Sequence, residues 1–332
     1  MVLVLLARHW LARRHYPFAS WIACIARSLR VLLFPLAHAR LLALPIYRRH
    51  LVHVHDDVFH HLSHRDYLAK GLSLRQRVRC VATHYRFEDS AFDDAYRQAV
   101  YRDGGLPLWT HAGPEGCCAI RLEMAPRLSA EGDLMLVASL DGVTLHRLSF
   151  SWVEGRLAGA AAALPPPLLP FVVRNQGHRA DHAEAVQAFE RAFPHNSPSF
   201  FCFAALQGIA QALGMDQVLA VAAARQCAHG GGNGGSNLSH LANAYDGFWR
   251  VLGGVETDHG YRIALPFHVK PLAEMASRHR KRAAGRRAHW QAIGDAARLA
   301  LQPHIVRLPA QAGAAAPGRA IAASAPRPSA SA

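Results

Sequence analysis

Residues Ser199–Leu213 constrain this chain more than any other stretch. Phe200, Phe201, Phe203, Leu206, Ile209 and Leu213 leave the segment almost no polar side, and a helix that is apolar all round has to be buried all round. Ser197-Pro198 reads as an N-cap followed by proline at the first helical position, and Gly214 as the left-handed residue just past the end. This is the central core helix. After it come the strand Val218-Leu219-Ala220-Val221, the glycine-rich loop Gly230–Ser236, a short aromatic helix over Tyr245–Leu252 and a last strand over Tyr261–Leu265.

Upstream, near residue 108, the apolar period changes from helical to alternating. Cys118–Met124, Leu134–Leu140 and Val143–Trp152 read as strands, with Asp141-Gly142 as a tight hairpin turn between the last two, which makes an antiparallel meander. Phe171–Arg174 adds a fourth strand ending at Asn175-Gln176-Gly177, and a helix follows over Ala183–Phe193. Before the sheet, Ser73 caps a helix over Leu74–His84 that closes at His84-Tyr85, and a second helix runs from Asp89 to Tyr101. The fold class is therefore α+β: an antiparallel meander extended by further strands around a central buried helix, with helical extensions at both ends. We divide the chain into a basic helical region over 1–105, an α+β core over 106–270, a basic helix over 271–308 and an Ala/Pro/Ser tail over 309–332 that is expected to be disordered.

With 51% hydrophobic residues the chain can bury a core, which excludes wholesale disorder. Its net charge of +14 is concentrated at the ends. Residues 1–50 hold eight arginines and no carboxylate, and residues 276–332 hold ten basic residues against Asp295. The ends together carry +17, so residues 51–275 carry −3. Basic ends on a near-neutral body point to an anionic partner, with an anionic membrane surface foremost. The basic helix over 271–301 places Arg278, Arg280, Lys281, Arg282, Arg286 and Arg287 within ten positions, but no nucleic-acid motif accompanies it and no specific nucleic acid is expected. The apolar start Met1–Ala7 meets Arg8 without a cleavage-site pattern, so it does not read as a signal peptide. Ser20–Phe34 is an amphipathic helix with a narrow basic stripe at Arg27 and Arg30. It reads as packed on the body, with a membrane surface as the alternative. No run here reaches the roughly 18–20 uncharged residues of a span. Six scattered cysteines without a CxxC pair suggest a reducing compartment, and the expected location is cytoplasmic, peripheral to the inner membrane.

Chemistry-bearing residues are less decisive. Residues 53–66 contain five histidines and three aspartates in fourteen positions. On a helix His53, Asp57, His60 or His61, and His64 would share a face suited to zinc or iron, and a metal-dependent hydrolase is one reading. The pattern HxHxDH fails at Val58, and in a chain with 22 histidines a solvated face explains the cluster as well. The loop Gly230–Ser236 lacks both the Gly-Lys-Ser/Thr ending of a P-loop and the GxGxxG spacing of a dinucleotide fold.

Several short motifs occur in an order that resembles the VirK/YbjX-like family of bacterial proteins. They are Tyr67 with Lys70-Gly71-Leu72-Ser73, Arg77 and His84-Tyr85; Glu131-Gly132-Asp133-Leu134; Leu148-Ser149-Phe150-Ser151; and Gln176-Gly177. Further along come Leu213-Gly214, Tyr245-Asp246-Gly247-Phe248-Trp249 with Gly253-Gly254, and Ser277–Ala283 with Arg286-Arg287. The resemblance implies a role in envelope stress, virulence or resistance to cationic antimicrobial peptides in Gram-negative bacteria, and it carries over no catalytic residue. Where that family runs into a basic Gly-Leu-Arg-Pro-Lys-like helix start, this chain has His195-Asn196-Ser197-Pro198-Ser199.

The order of elements also looks like a GNAT acyltransferase, in which acetyl-CoA phosphates rest where the central helix begins, after the fourth strand. That analogy makes an acyl-CoA the implied cofactor and Gln176, Gly177, His178 and Arg179 a partial substitute for the missing Gln/Arg-x-x-Gly-x-Gly/Ala signature. Glu131, His146 and Tyr245 would be its acid–base candidates; otherwise they are a strand-face residue, a solvated strand residue and an aromatic anchor.

Overall fold

A computed structural model describes residues 2–51, 59–62, 66–125, 131–158, 167–177, 182–227 and 242–308. Three short helices open the chain: α1 (Val2–Ala12), α2 (Phe18–Ser28), which continues as a 3-10 turn over Leu29–Leu33, and α3 (Pro35–Ala43). The stretch Ser20–Phe34, read as packed on the body, reaches it through Val31, which is fully buried, and Phe34, which packs on the core, while no residue of α2 itself is buried. Phe18 and Ile22 of α2 are exposed, and Trp21 and Ile25 are half-buried.

Helix α4 (Leu74–Ala91) starts at a full capping box: the Ser73 hydroxyl accepts from the Gln76 N–H, and the Gln76 side chain accepts from the Ser73 N–H. It runs past His84-Tyr85, where the sequence suggested an end. No breaker stands there, and Phe87, Glu88 and Ala91 continue the buried face. Helix α5 (Asp94–Tyr101) therefore begins later than expected, with Asp93 rather than Asp89 at its start, and the Asp93 carboxylate accepts from the Tyr96 N–H.

Among the described residues the sheet has eight strands. β1 (Leu106–Gly113), β2 (Gly116–Met124), β3 (Leu134–Leu140), β4 (Val143–Glu154) and β5 (Leu168–Gly177) form an antiparallel series. After α6 (Ala183–Ala192) and α7 (Pro198–Ala212), β6 (Gln217–Val221) joins β5 in parallel. A π-turn over Asn243–Gly247 leads into α8 (Phe248–Val251), and β7 (Val255–Thr257) and β8 (Gly260–Ala264) complete the order β1-β2-β3-β4-β5-β6-β8-β7. The Asp141-Gly142 hairpin is as expected: both residues have positive φ (47° and 81°), as a type I′ turn requires. Strands β1 and β7 were not singled out in the sequence: β1 is exposed over Thr110–Gly113 and so has no sustained apolar alternation, and β7 has three residues. The loop Gly230–Ser236 lies outside the described residues.

β4 is the strand the fold is built across. Leu148–Val153 are buried at every position, so both faces of the strand are covered, and α4 and α7 are the helices that pack on it. The 25-residue α9 (Ser277–Leu301) lies along α7 and against β1. Gly208 and Gly294 sit at this crossing; a Cβ on Gly208 would overlap the Gly294 carbonyl. Glycine here sets the distance between the two helix backbones.

We expect Gly208→Ala to cost about 2–3 kcal/mol in urea unfolding, because two helix backbones must move apart. Gly285→Ala, in the same α9 but with nothing within 4 Å of the new methyl group, should instead stabilise by up to about 1 kcal/mol.

Candidate functional site

The deepest polar centre gathers around one carboxylate. Asp133 is 2% exposed, and an ion that far from water survives only if donors surround it. The Tyr67 hydroxyl donates to its Oδ2 at 2.5 Å and the Ser151 hydroxyl at 2.6 Å; the Tyr85 hydroxyl donates to Oδ1 at 2.9 Å. His60 Nε2 lies 3.2 Å from Oδ1. The Asp133 N–H in turn donates to Ser151 Oγ at 3.0 Å. Burial, and then the neighbouring carboxylate, pushes the Tyr67 hydroxyl well above its ordinary value, so it stays a donor. Gly132 makes the approach possible. Its φ is +96°, and a Cβ there would stand 2.9 Å from the Phe150 nitrogen.

A second buried carboxyl, Glu88, lies on the same helix as Tyr85. It accepts from Trp152 Nε1 at 2.6 Å, Tyr101 at 3.0 Å and, more weakly, Tyr96 at 3.4 Å. Burial outweighs these donors and pushes its pKa up to about 7. Farther out, His38 Nδ1 lies 2.8 Å from the Phe34 carbonyl and must donate to it. Burial lowers the His38 pKa and keeps the ring neutral, so its Nε2 accepts from His61 Nε2 at 3.1 Å.

On the far end of β5 the sheet opens. β5 and β6 pair at two positions only, Phe171 with Leu219 and Val172 with Ala220. β5 then runs on to Gly177 with β4 alone. The π-turn fills part of the gap: the Asn175 N–H donates to the Tyr245 hydroxyl at 3.2 Å, and Asn175 Nδ2 donates to the Ala244 carbonyl at 2.8 Å. That second bond turns Asn175 Oδ1 towards His146 Nε2, 2.8 Å away, so this nitrogen carries the proton. A cavity of about 350 Å³ adjoins, lined by His146, Asn175 and Gly177, by Phe189 and Glu190 of α6, and by the start of α7 at Asn196–Ser199. The α7 start has no carboxylate in its first turn and no side-chain cap. Ser197 Oγ bonds Ser199 Oγ at 2.7 Å instead.

The family described as "Protein of unknown function (DUF535)" matches residues 29–293 of this chain. The chain belongs to that family. It is also 26% identical over 251 residues to the uncharacterized protein YbjX of Escherichia coli (strain K12), an alignment covering 68% of this chain and 66% of that protein, just under two thirds of its length. No solved structure matches. The resemblance read from the motifs therefore stands, and the fold gives those DUF535 motifs a physical meaning. Tyr67, Tyr85, Asp133 and Ser151 come from three separate motifs and meet at one carboxylate.

Of the acid–base candidates, His146 and Tyr245 are brought together through Asn175, a residue the sequence analysis did not weigh. His146 is 5% exposed rather than solvated. Burial pushes the Tyr245 hydroxyl up to about 12. Glu131 is held elsewhere, by Gln226 Nε2 at 2.6 Å and Arg174 at 3.4 Å. Gly177 lines the cavity and the Gln176 side chain bonds Tyr245, whereas His178 and Arg179 lie outside the described residues. So do His53, Asp57 and His64. His60 and His61 form a buried 3-10 turn, not a solvated helix face, because each ring has a polar partner inside. Among the described residues no three ligand-type side chains are grouped to hold a metal.

Asp133→Ala leaves three buried hydroxyls without their acceptor and should cost about 3 kcal/mol or more in chemical denaturation, against about 1–2 kcal/mol for Tyr67→Phe. Glu88 supplies a pH signature. Its folded pKa of about 7 lies above the ordinary 4.5, so the folded protein holds a proton that the unfolded chain releases. The stability this contributes is complete below about pH 4.5 and is lost as pH rises to about 7. The difference between wild type and Glu88→Gln, measured at about pH 4.5 and about pH 8, should change by about 3 kcal/mol in that direction.

Proposed function

We propose that the cavity beside β5 takes an acyl-CoA and that this DUF535 protein is an acyl-CoA-dependent acyltransferase of the GNAT kind. The observation that carries the reading is the early end of the β5–β6 pairing, with His146, Asn175 and Tyr245 gathered where the strands part. Counted from β2, β5 is the fourth strand of the meander, and the central helix α7 begins at the same cavity. In the GNAT arrangement the phosphates of the carrier rest at that helix start. Here the uncapped first turn offers backbone N–H groups, and Ser197 and Ser199 offer hydroxyls. Glu190 lines the same space and opposes an anion; the fit is to backbone donors, with no basic side chain at the helix start.

In the reaction, an acceptor amine or hydroxyl attacks the thioester carbonyl, the C–S bond breaks and the acyl group moves to the acceptor. His146 takes the acceptor's proton as general base. His146 then returns that proton to the departing thiolate, while Tyr245, buried behind Asn175, keeps its own proton at neutral pH because burial raises its pKa to about 12. Asn175 orients both. Such an activity fits the envelope-stress and peptide-resistance roles that the family resemblance implies.

The test is thermal unfolding with acetyl-CoA and a long-chain acyl-CoA. A carrier at about 100 times its Kd adds about 2.7 kcal/mol, which we expect as a rise of several degrees that free CoA competes away. His146→Ala should keep that rise and lose about 10²–10⁴-fold in acyl transfer. Absence of any rise with either thioester would remove the proposal.

A further inference from the structure

The first three helices present a surface that the cavity reading does not use. Ten of the seventeen exposed large hydrophobic side chains among the described residues fall between Leu3 and Leu36. Phe18 is 76% exposed, Leu36 72% and Val4 70%. Soluble proteins rarely gather so much apolar surface in one place without something to cover it. The segment is tied to the body from behind: Leu6, Val31, Leu41 and Leu42 are buried, and α3 packs on α4. α1 and α2 are also tied to each other, with Trp10 Nε1 donating to Ser28 Oγ at 2.6 Å and Trp21 Nε1 to the Trp10 carbonyl at 2.9 Å.

Charge decides what covers this surface. Residues 1–50 contain no Asp or Glu. Arg8, Arg14, Arg30 and Arg40 meet no carboxylate among the described residues. A second copy laid with its own residues 1–50 on this segment would bring these arginines no carboxylate, since the segment has none. An anionic bilayer answers both features, taking the apolar side chains into the acyl boundary and the guanidinium groups at the phosphates. Two tryptophans beside the patch suit the headgroup level. The segments Phe18–Leu33 and Pro35–Ala43 together have the length and composition of a span, but they turn by 87° at Phe34, which favours lying in the interface over crossing it.

We infer that α1, α2 and the turn into α3 form a docking surface for an anionic phospholipid membrane. This does not depend on the acyltransferase reading. The experiment is flotation of the full chain with phosphatidylglycerol–phosphatidylcholine vesicles and with pure phosphatidylcholine vesicles. Binding should require phosphatidylglycerol and weaken with added salt. Arg8→Gln with Arg14→Gln should lower vesicle affinity about fivefold per arginine. Phe18→Glu with Leu36→Glu should lower it at least tenfold, with an unchanged melting temperature, since both side chains point to solvent. The response to acyl-CoA should persist in both variants, so failure of one proposal is readable apart from the other. Equal flotation with both vesicle types, or affinity that neither variant changes, overturns the inference. So does a wild-type dimer that the Phe18→Glu, Leu36→Glu chain no longer forms, which would make this face a contact between copies.

Discussion

A carboxylate with almost no contact with water is the constraint the rest of the structure answers to. Asp133 is held by hydroxyls from the segment before α4, from α4 itself and from β4, with the His60 ring alongside. Each donor belongs to a different element, so the ion works as a joint. It fixes how α4 sits on the sheet and where the Tyr67 segment returns to it. A buried pair of apolar side chains would hold these elements as tightly, but it would tolerate sliding; a carboxylate that must satisfy both oxygens does not. Gly132 is part of the same requirement, since only a residue without Cβ lets Asp133 reach β4 so closely.

The other organising fact is that β4 is covered on both faces while β5 is left unsupported beyond Val172 on the β6 side. Strands buried on two faces are rigid. A strand whose neighbour stops early leaves backbone groups to be satisfied by something else. Here a π-turn and a tyrosine hydroxyl do it at Asn175. The cavity therefore sits between a fixed wall, β4, and a parted edge, next to an uncapped helix start. A buried histidine and backbone donors at one opening are what an acyl-transfer reading draws on.

Local signals carried much of this into the sequence. The apolar Ser199–Leu213 run, the Asp141-Gly142 turn and the Ser73 cap each reflect physics confined to a few neighbouring residues, and each element stands where it was read. Helix ends fared worse: α4 continues through His84-Tyr85 because tertiary burial of Phe87 and Glu88, not local propensity, decides it. Ser20–Phe34 was read as packed on the body, and it is so only at its end, through Val31 and Phe34, while no residue of α2 is buried. Amphipathicity tells which side of a helix is apolar, not whether the body reaches it. At the candidate site His146 and Tyr245 were legible as chemistry-bearing types, but Asn175, which joins them, was not, because amide side chains give no pattern of their own.

The sequence by itself determined the secondary-structure menu, the antiparallel meander, the basic ends and, through the joint order of its motifs, the DUF535 family. Those properties are set by residue type and short spacing. Only the tertiary structure decided that Tyr67, Tyr85, Asp133 and Ser151 share one carboxylate, that β5 and β6 part after two residue pairs, and that the first helices turn their apolar side chains outward. Each depends on contacts between residues far apart in the chain or on the absence of a covering element, and neither leaves a trace in local periodicity.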